Sequence, residues 1–238
     1  GSRASVSSSP LFEPYTLSGL TLPNRVVIAP MTRSFSPGGV PGENVADYYE
    51  RRGDADVGLI ITEGTTVDRG GASNDPRVPN FHTPDALAGW SNVVDAVHKT
   101  PGKIAPQLWH VGMMRKPGTG PDPDAVSDSP SGRTHKGKQV QPEPSENDVA
   151  DMVMAYANAA GDAKRLGFDA IEIHGAHGYL IDEFFWNVMN TREDKYGGNL
   201  ADRATFAGEI IRECRKQVGG DMPIILRFSQ WKQQEYTA

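Results

Sequence analysis

Cysteine is nearly absent from the chain: one residue, Cys214, among 238. A single thiol excludes an internal disulfide framework and fits a reducing compartment, so a cytoplasmic location is expected. Positive charge is also short. The 24 Lys and Arg against 30 Asp and Glu leave a formal net charge of -6. With no dense basic stripe, nucleic acid and anionic membrane are not expected as partners. No apolar run approaches the ~18 residues of a membrane span. The opening GSRASVSSSP lacks the apolar core of a signal peptide and reads as a tag remnant with a disordered tail over 1–10. Missing too is a glycine-rich phosphate turn after the first strand-like run, where Pro30-Met31-Thr32-Arg33 stands instead.

What is present is a rhythm of buried strands and amphipathic helices. Leu11 to Leu22 reads as a hairpin turning at Ser18-Gly19. Apolar runs of the kind buried on both faces follow at Arg25–Pro30, Asp56–Glu63 (ended by Gly64), Lys103–His110, Ala170–Ile173 and Pro223–Ser229. Helices are expected between them. Asn44 to Arg52 is the first, and the next opens at Thr83-Pro84 with Leu87, Trp90, Val94 and Val97 as its stripe. Ser145-x-x-Asp148 opens a third in capping-box style, with Gly167 as its stop. A short segment Leu180–Trp186 and one long helix from Leu200 to Val218, with Cys214 on its core stripe, complete the set. Between Val111 and Pro144 lies a long stretch rich in Pro, Gly, Ser and Asp, the composition of either a functional lid or a disordered loop.

Strands alternating with helices imply parallel βα units. Thr32, Glu63, Gln107, His174 and Arg227 all fall at or just beyond the carboxyl ends of successive strands. A barrel places its site there, whereas an open doubly wound sheet gathers it at one crevice behind a glycine-rich turn. The expected fold is therefore an α/β (β/α)8 TIM barrel with an N-terminal β-hairpin cap. It is incomplete, with about five of the eight βα units of that fold. Residues 11–238 form this partial barrel domain, with 111–144 as its long active-site loop.

The densest chemistry lies in Ile171-Glu-Ile-His-Gly-Ala-His-Gly-Tyr179. His174, His177 and Tyr179 put three proton-capable side chains at the end of a buried strand, which suits a site that grips a carbonyl oxygen and delivers a proton. Glu172-x-His-x-x-His also has the look of a metal-ligand cluster. No third histidine stands in a comparable strand-end motif, so no metal is assigned. A structural histidine pair and a core role for Tyr179 are the bland alternatives.

Five pieces in order and spacing resemble the Old Yellow Enzyme family of flavin-dependent ene-reductases: Asn24–Arg33, Ile61–Thr65, Gln107–Gly112, His174–Tyr179 and Asn190–Gly198. The resemblance implies a barrel that holds FMN, is reduced by NADH or NADPH and is reoxidised by an activated alkene, such as an enone, or by a nitro compound. It implies that Thr32 bonds flavin O4, that the main chain of Pro30, Met31 and Gly64 lines the isoalloxazine, and that Gln107 pairs with the pyrimidine edge. Arg227 would lie by N1 and O2. His174 and His177 would hold the substrate oxygen, Tyr179 would give the proton, and Trp109 would shape the substrate pocket.

The family's phosphate cradle comes from later strands than those in the sequence. Two expectations follow. Either the chain is part of an ene-reductase that works when the remaining strands are supplied or the chain self-associates, or it is an inactive barrel fragment that self-associates. A metal-dependent barrel hydrolase is a third and weaker reading.

Overall fold

The computed structural model describes residues 10–28 and 31–228. Strands β1 (Tyr15–Leu17) and β2 (Leu20–Leu22) pair antiparallel across Ser18-Gly19. The remaining strands are β3 (Val27–Ile28), β4 (Leu59–Thr66), β5 (Lys103–Trp109), β6 (Ile171–Gly175) and β7 (Ile224–Phe228). They form one sheet in the order β3-β4-β5-β6-β7, every pair parallel. Helices α1 (Glu43–Asp54), α2 (Pro84–His98), α3 (Glu146–Leu166), α4 (Leu180–Phe185), α5 (Leu200–Arg203) and α6 (Thr205–Val218) supply the crossovers.

The period of two along a strand decides which residues face what. Ile60, Ile104, Leu108, Ile171 and Ile173 point outward into the main core, where Trp90, Tyr156 and Phe206 of the helix layer meet them. Their neighbours Leu59, Ile61 and Ala105 point to the concave side, where Leu22 of the hairpin covers them. The hairpin is tied to the foot of β7, since Gly19 N donates to Asp221 O at 3.1 Å. A Cβ on Gly19 would stand 2.9 Å from Asp221, so only glycine closes that contact. Higher on the same concave face the alternation delivers Gln107, Trp109, Glu172, His174 and Arg227 side by side. One face thus changes from apolar floor to polar site along its length, as a barrel interior does.

Several boundaries differ from the sequence reading. Gly64 does not end its strand: β4 continues to Thr66 after a register shift between Ile61 and Gly64. The absence of a side chain is what permits this. A Cβ at Gly64 would lie 2.6 Å from Trp109 Cε3, so the indole occupies the space. Glu63, expected as a structural partner for a neighbouring cation, faces α1, where Tyr49 Oη donates to its Oε2 at 3.3 Å. Burial raises the Glu63 carboxyl above its ordinary pKa, against the lowering pull of Arg33 and the Tyr49 bond. His174 lies inside β6 rather than at its end, because β6 runs on to Gly175 opposite Phe228.

The single helix expected from Leu200 to Val218 is two, α5 and α6, meeting at Ala204. Leu200 is exposed, and the buried stripe starts at Phe206, which stacks on Phe184 at 3.9 Å. Cys214 is fully buried on that stripe, and burial pushes its thiol up to about 12. The first strand is described only at Val27–Ile28, and residues 29–30 lie outside the described residues.

α3 starts as its sequence requires. Ser145 Oγ accepts from Asp148 N at 3.1 Å while Asp148 Oδ2 accepts from Ser145 N at 2.9 Å, and Gly167 ends the helix in the left-handed region at φ 90. Ser145→Ala is expected to cost about 1 kcal/mol, read as a lower urea midpoint with an unchanged slope.

Candidate active site

β5, β6, β7 and the segment after β3 converge on one cavity of about 170 Å³. Its floor is Gln107 and Arg227, one wall is Trp109 with His174, His177 and Tyr179, and Met31 and Thr32 close the edge. Eight of the residues singled out in the sequence therefore meet in one place. Met31 and Thr32 are exposed at its edge. Gly64 contributes from beneath, by leaving room for the Trp109 ring. Pro30 lies outside the described residues.

The wall is an aromatic stack with defined geometry. The Trp109 and His174 rings are near-parallel, 6.0 Å apart at 14°, and Tyr179 meets both edge-on at 5.1 and 5.0 Å. His177 sits 5.6 Å from His174 at 76°. Its backbone is left-handed at φ 62, followed by Gly178 at φ 77. That turn swings the second imidazole back over the strand end, a strained arrangement of the kind found at functional sites. Gly178 N donates to Asp182 Oδ2 at 2.8 Å, and Tyr179 N to Ala176 O at 3.3 Å, so the turn is tied at both ends.

Protonation follows from these surroundings. Burial, with the neighbouring His177 and Arg227 adding to it, lowers the His174 pKa to about 3. The ring is neutral near pH 7. Its Nδ1 accepts from Ala176 N at 3.2 Å, which leaves the proton of the neutral ring on Nε2 as a donor. Burial raises the Tyr179 phenol, so the hydroxyl keeps its proton. The pocket therefore offers neutral N–H and O–H donors above a cationic floor.

Glu172 does not close a metal site with His174 and His177. Its carboxylate is taken by Gln107 Nε2 at 2.8 Å and by Arg227 Nε and Nη2, each at 3.3 Å. Among the described residues, no group of three or more His, Cys, Asp or Glu is placed to hold a metal ion. No helix among them is long and apolar enough to cross a membrane.

Two buried clasps that hold the long loop carry no signature in the sequence. His110 Nε2 bonds Asp128 Oδ2 at 2.8 Å, and Arg69 forks onto both Asp128 oxygens at 2.8 Å. His135 Nε2 bonds Glu183 Oε2 at 2.6 Å, and Glu183 also accepts from Met113 N. The residues that meet lie up to 70 positions apart, so only the fold could join them. Arg192 ties a further loop, with Nη1 on Pro130 O and Pro144 O and a fork to Asp194.

The fold and cavity together define a βα-barrel enzyme scaffold, with its polar cluster at the carboxyl ends of parallel strands. The family model described as NADH:flavin oxidoreductase / NADH oxidase matches residues 10–237. The chain belongs to that family, the one to which the Old Yellow Enzymes are assigned, and FMN is the family's cofactor.

Among curated relatives it is 39% identical over 226 residues to 12-oxophytodienoate reductase 7 of Oryza sativa subsp. japonica, covering 90% of this chain and 57% of the relative. It is 38% identical to flavin oxidoreductase hxnT of Emericella nidulans, covering 89% and 57%. Morphinone reductase in complex with tetrahydroNAD superposes with a TM-score of 0.81 at 34% identity, covering 92% of this chain and 64% of that one. Old Yellow Enzyme from Pichia sp. AKU4542 superposes at 0.85 with 29% identity, covering 94% and 60%. The chain thus spans somewhat over half the length of these relatives.

Proposed function

We propose that the chain carries the flavin-facing and substrate-facing part of an FMN-dependent NAD(P)H oxidoreductase that reduces activated C=C bonds, with nitro compounds as further acceptors. The observation that supports it most is the union of a neutral imidazole donor at His174, a protonated phenol and a cationic floor in one cavity.

The residues fit the cofactor's ring. Gln107 Oε1 accepts no hydrogen bond among the described residues, and Gln107 lines the same cavity as the Arg227 guanidinium, both being held by Glu172. An acceptor next to a fixed cation complements a ring N–H flanked by carbonyls. Thr32 and the main chain of Pro30 and Met31 would hold the far edge, above the glycine step at Gly64. FMN, when bound, supplies the hydride for the substrate carbon.

The remaining work falls to the chain. As hydride reaches one carbon of the alkene, negative charge grows on the oxygen of its activating group. His174 Nε2–H and His177 are aimed at that oxygen and stabilise the charge where it develops, without reorganising. Tyr179 delivers the proton to the other carbon. Trp109 restricts how the alkene lies across the wall. The Arg227 guanidinium favours an electron-rich ring beside it.

The test is an absorbance spectrum of the chain purified with no added flavin, repeated after incubation with FMN and desalting. The visible band of a bound flavin is expected, and added phenol should bring a long-wavelength charge-transfer band. A colourless protein after FMN incubation overturns the reading in favour of an inactive, self-associating barrel piece. The half-exposed Val27 on β3 and the exposed Phe228 on β7, at the two sheet edges, would then mark where copies meet.

A further inference from the structure

Glu172 stands behind the cavity rather than in its lining. It is 2% exposed and shares the concave face with His174, two residues along β6. Gln107 is its partner in the β5–β6 register, and His174 faces Arg227 across β6–β7. Three adjacent strands thus bring one carboxylate against the two polar side chains of the floor. Oε2 accepts from Gln107 Nε2 at 2.8 Å, and Oε1 from Arg227 Nε and Nη2 at 3.3 Å.

That arrangement has two physical effects. A primary amide has ends of opposite character, and only its nitrogen donates to a carboxylate. Binding Nε2 to Glu172 therefore turns Gln107 Oε1 toward the cavity as an acceptor. Second, a carboxylate in contact with the guanidinium offsets part of the positive potential that Arg227 projects onto the floor. A carboxylate that merely bridged strands would do neither in any way a ligand could register.

We propose that Glu172 is a positioning residue that makes the floor selective for a cyclic imide edge. It fixes Gln107 Oε1 as the acceptor for a ring N–H, and it sets how strongly Arg227 favours negative charge on the adjacent ring carbonyl. The identity of the ring rests on the flavin reading above, whereas the orientation of the Gln107 amide rests on the strand geometry alone.

The experiment has two arms on the same 238-residue chain. In flavin-free protein, the Gln107 side-chain amide is followed by 15N NMR and assigned with Gln107→Ala. Its exchange with solvent is expected to be at least tenfold slower than that of the exposed Gln217. Glu172→Met, similar in length and without an acceptor, is expected to abolish the protection. An unprotected Gln107 amide in the unmodified chain overturns the proposal, even where Glu172→Met fails to fold.

In the second arm, FMN is loaded and the two-electron potential is measured for the unmodified chain and for Glu172→Gln, which keeps shape and an acceptor but loses the charge. Removing the negative charge strengthens binding of the reduced, anionic ring relative to the oxidised one. A rise equivalent to about tenfold, or ~30 mV for a two-electron couple, is expected. A potential that stays put or falls overturns the charge-setting role. Failure to bind any FMN would strike the flavin reading, while the amide arm still decides the orientation.

Discussion

Tyr179→Phe is expected to slow alkene reduction by the FMN-loaded chain about 10²–10⁴-fold, the usual worth of a positioned proton donor. The change removes one hydroxyl and leaves the ring, so the edge-on contacts with Trp109 at 5.1 Å and His174 at 5.0 Å persist. Binding of a phenol and reduction of the flavin by NAD(P)H should therefore be unaffected. Stopped-flow measurement of the two half-reactions separates these steps. Because burial raises the phenol's pKa, the unmodified rate should hold flat through neutrality and fall only on the alkaline side of an ordinary tyrosine. Equal oxidative rates in Tyr179→Phe and the unmodified chain would show that the proton comes from water and leave Tyr179 as a wall residue.

Asp128→Ala is expected to cost about 3 kcal/mol, because it leaves a buried imidazole and a partly buried guanidinium without their shared partner. His110 is fully buried and bonds this carboxylate through Nε2, while Arg69 forks onto it through Nε and Nη2. Against the 5–15 kcal/mol that typically hold a domain together, the loss should be plain in chemical denaturation.

The same group gives a pH signature. Burial works to raise the Asp128 carboxyl, but the bonds from Arg69 and His110 outweigh burial and hold it well below the usual carboxylate range. A depressed folded-state pKa means the stabilisation is present above the unfolded value near ~3.9 and is lost as pH falls through the folded one. Asp128→Ala should therefore narrow its gap from the unmodified protein only below about pH 4. A gap that is already closed at pH 6 would mean that Asp128 adds nothing to stability.

The sequence made the strands and the site unusually easy to see, and for a definable reason. Parallel strands buried on both faces appear as continuous apolar runs, and the polar residue that breaks each run lies toward its carboxyl end. Gln107, His174 and Arg227 were visible on that account before any geometry. The resemblance to a flavoenzyme family assigned the roles.

What stayed hidden was anything that depends on a partner far along the chain. His110 and His135 carry no local pattern, yet each is half of a buried hydrogen-bonded pair. Glu172 carries no assigned role in the sequence, because spacing alone cannot reveal that its oxygens are committed to Gln107 and Arg227. The glycine at 64 read as a stop signal, and only the indole of Trp109 explains why the strand continues past it. The break at Ala204 escaped the period count, because α5 and α6 keep nearly the same heptad phase while Leu200 turns outward.

Proteases would see the long loop as two different substances. Around Ser127–Gly132 the backbone is buried, with Arg115 Nη1 on Ala125 O, Gln141 Nε2 on Ser127 O and Arg192 Nη1 on Pro130 O. A cleaving enzyme needs an extended segment free to enter its own cleft, and these anchors deny it one. The run 116–126 is largely exposed and invites cutting by a protease of broad specificity, although the Lys116–Pro117 bond itself resists trypsin. Brief digestion should therefore leave a nick at the tip while the two pieces remain associated, joined through Asp128 and Glu183. The loop is a strap buckled in its middle, and its exposed run at 116–126 is open to editing by insertion or deletion.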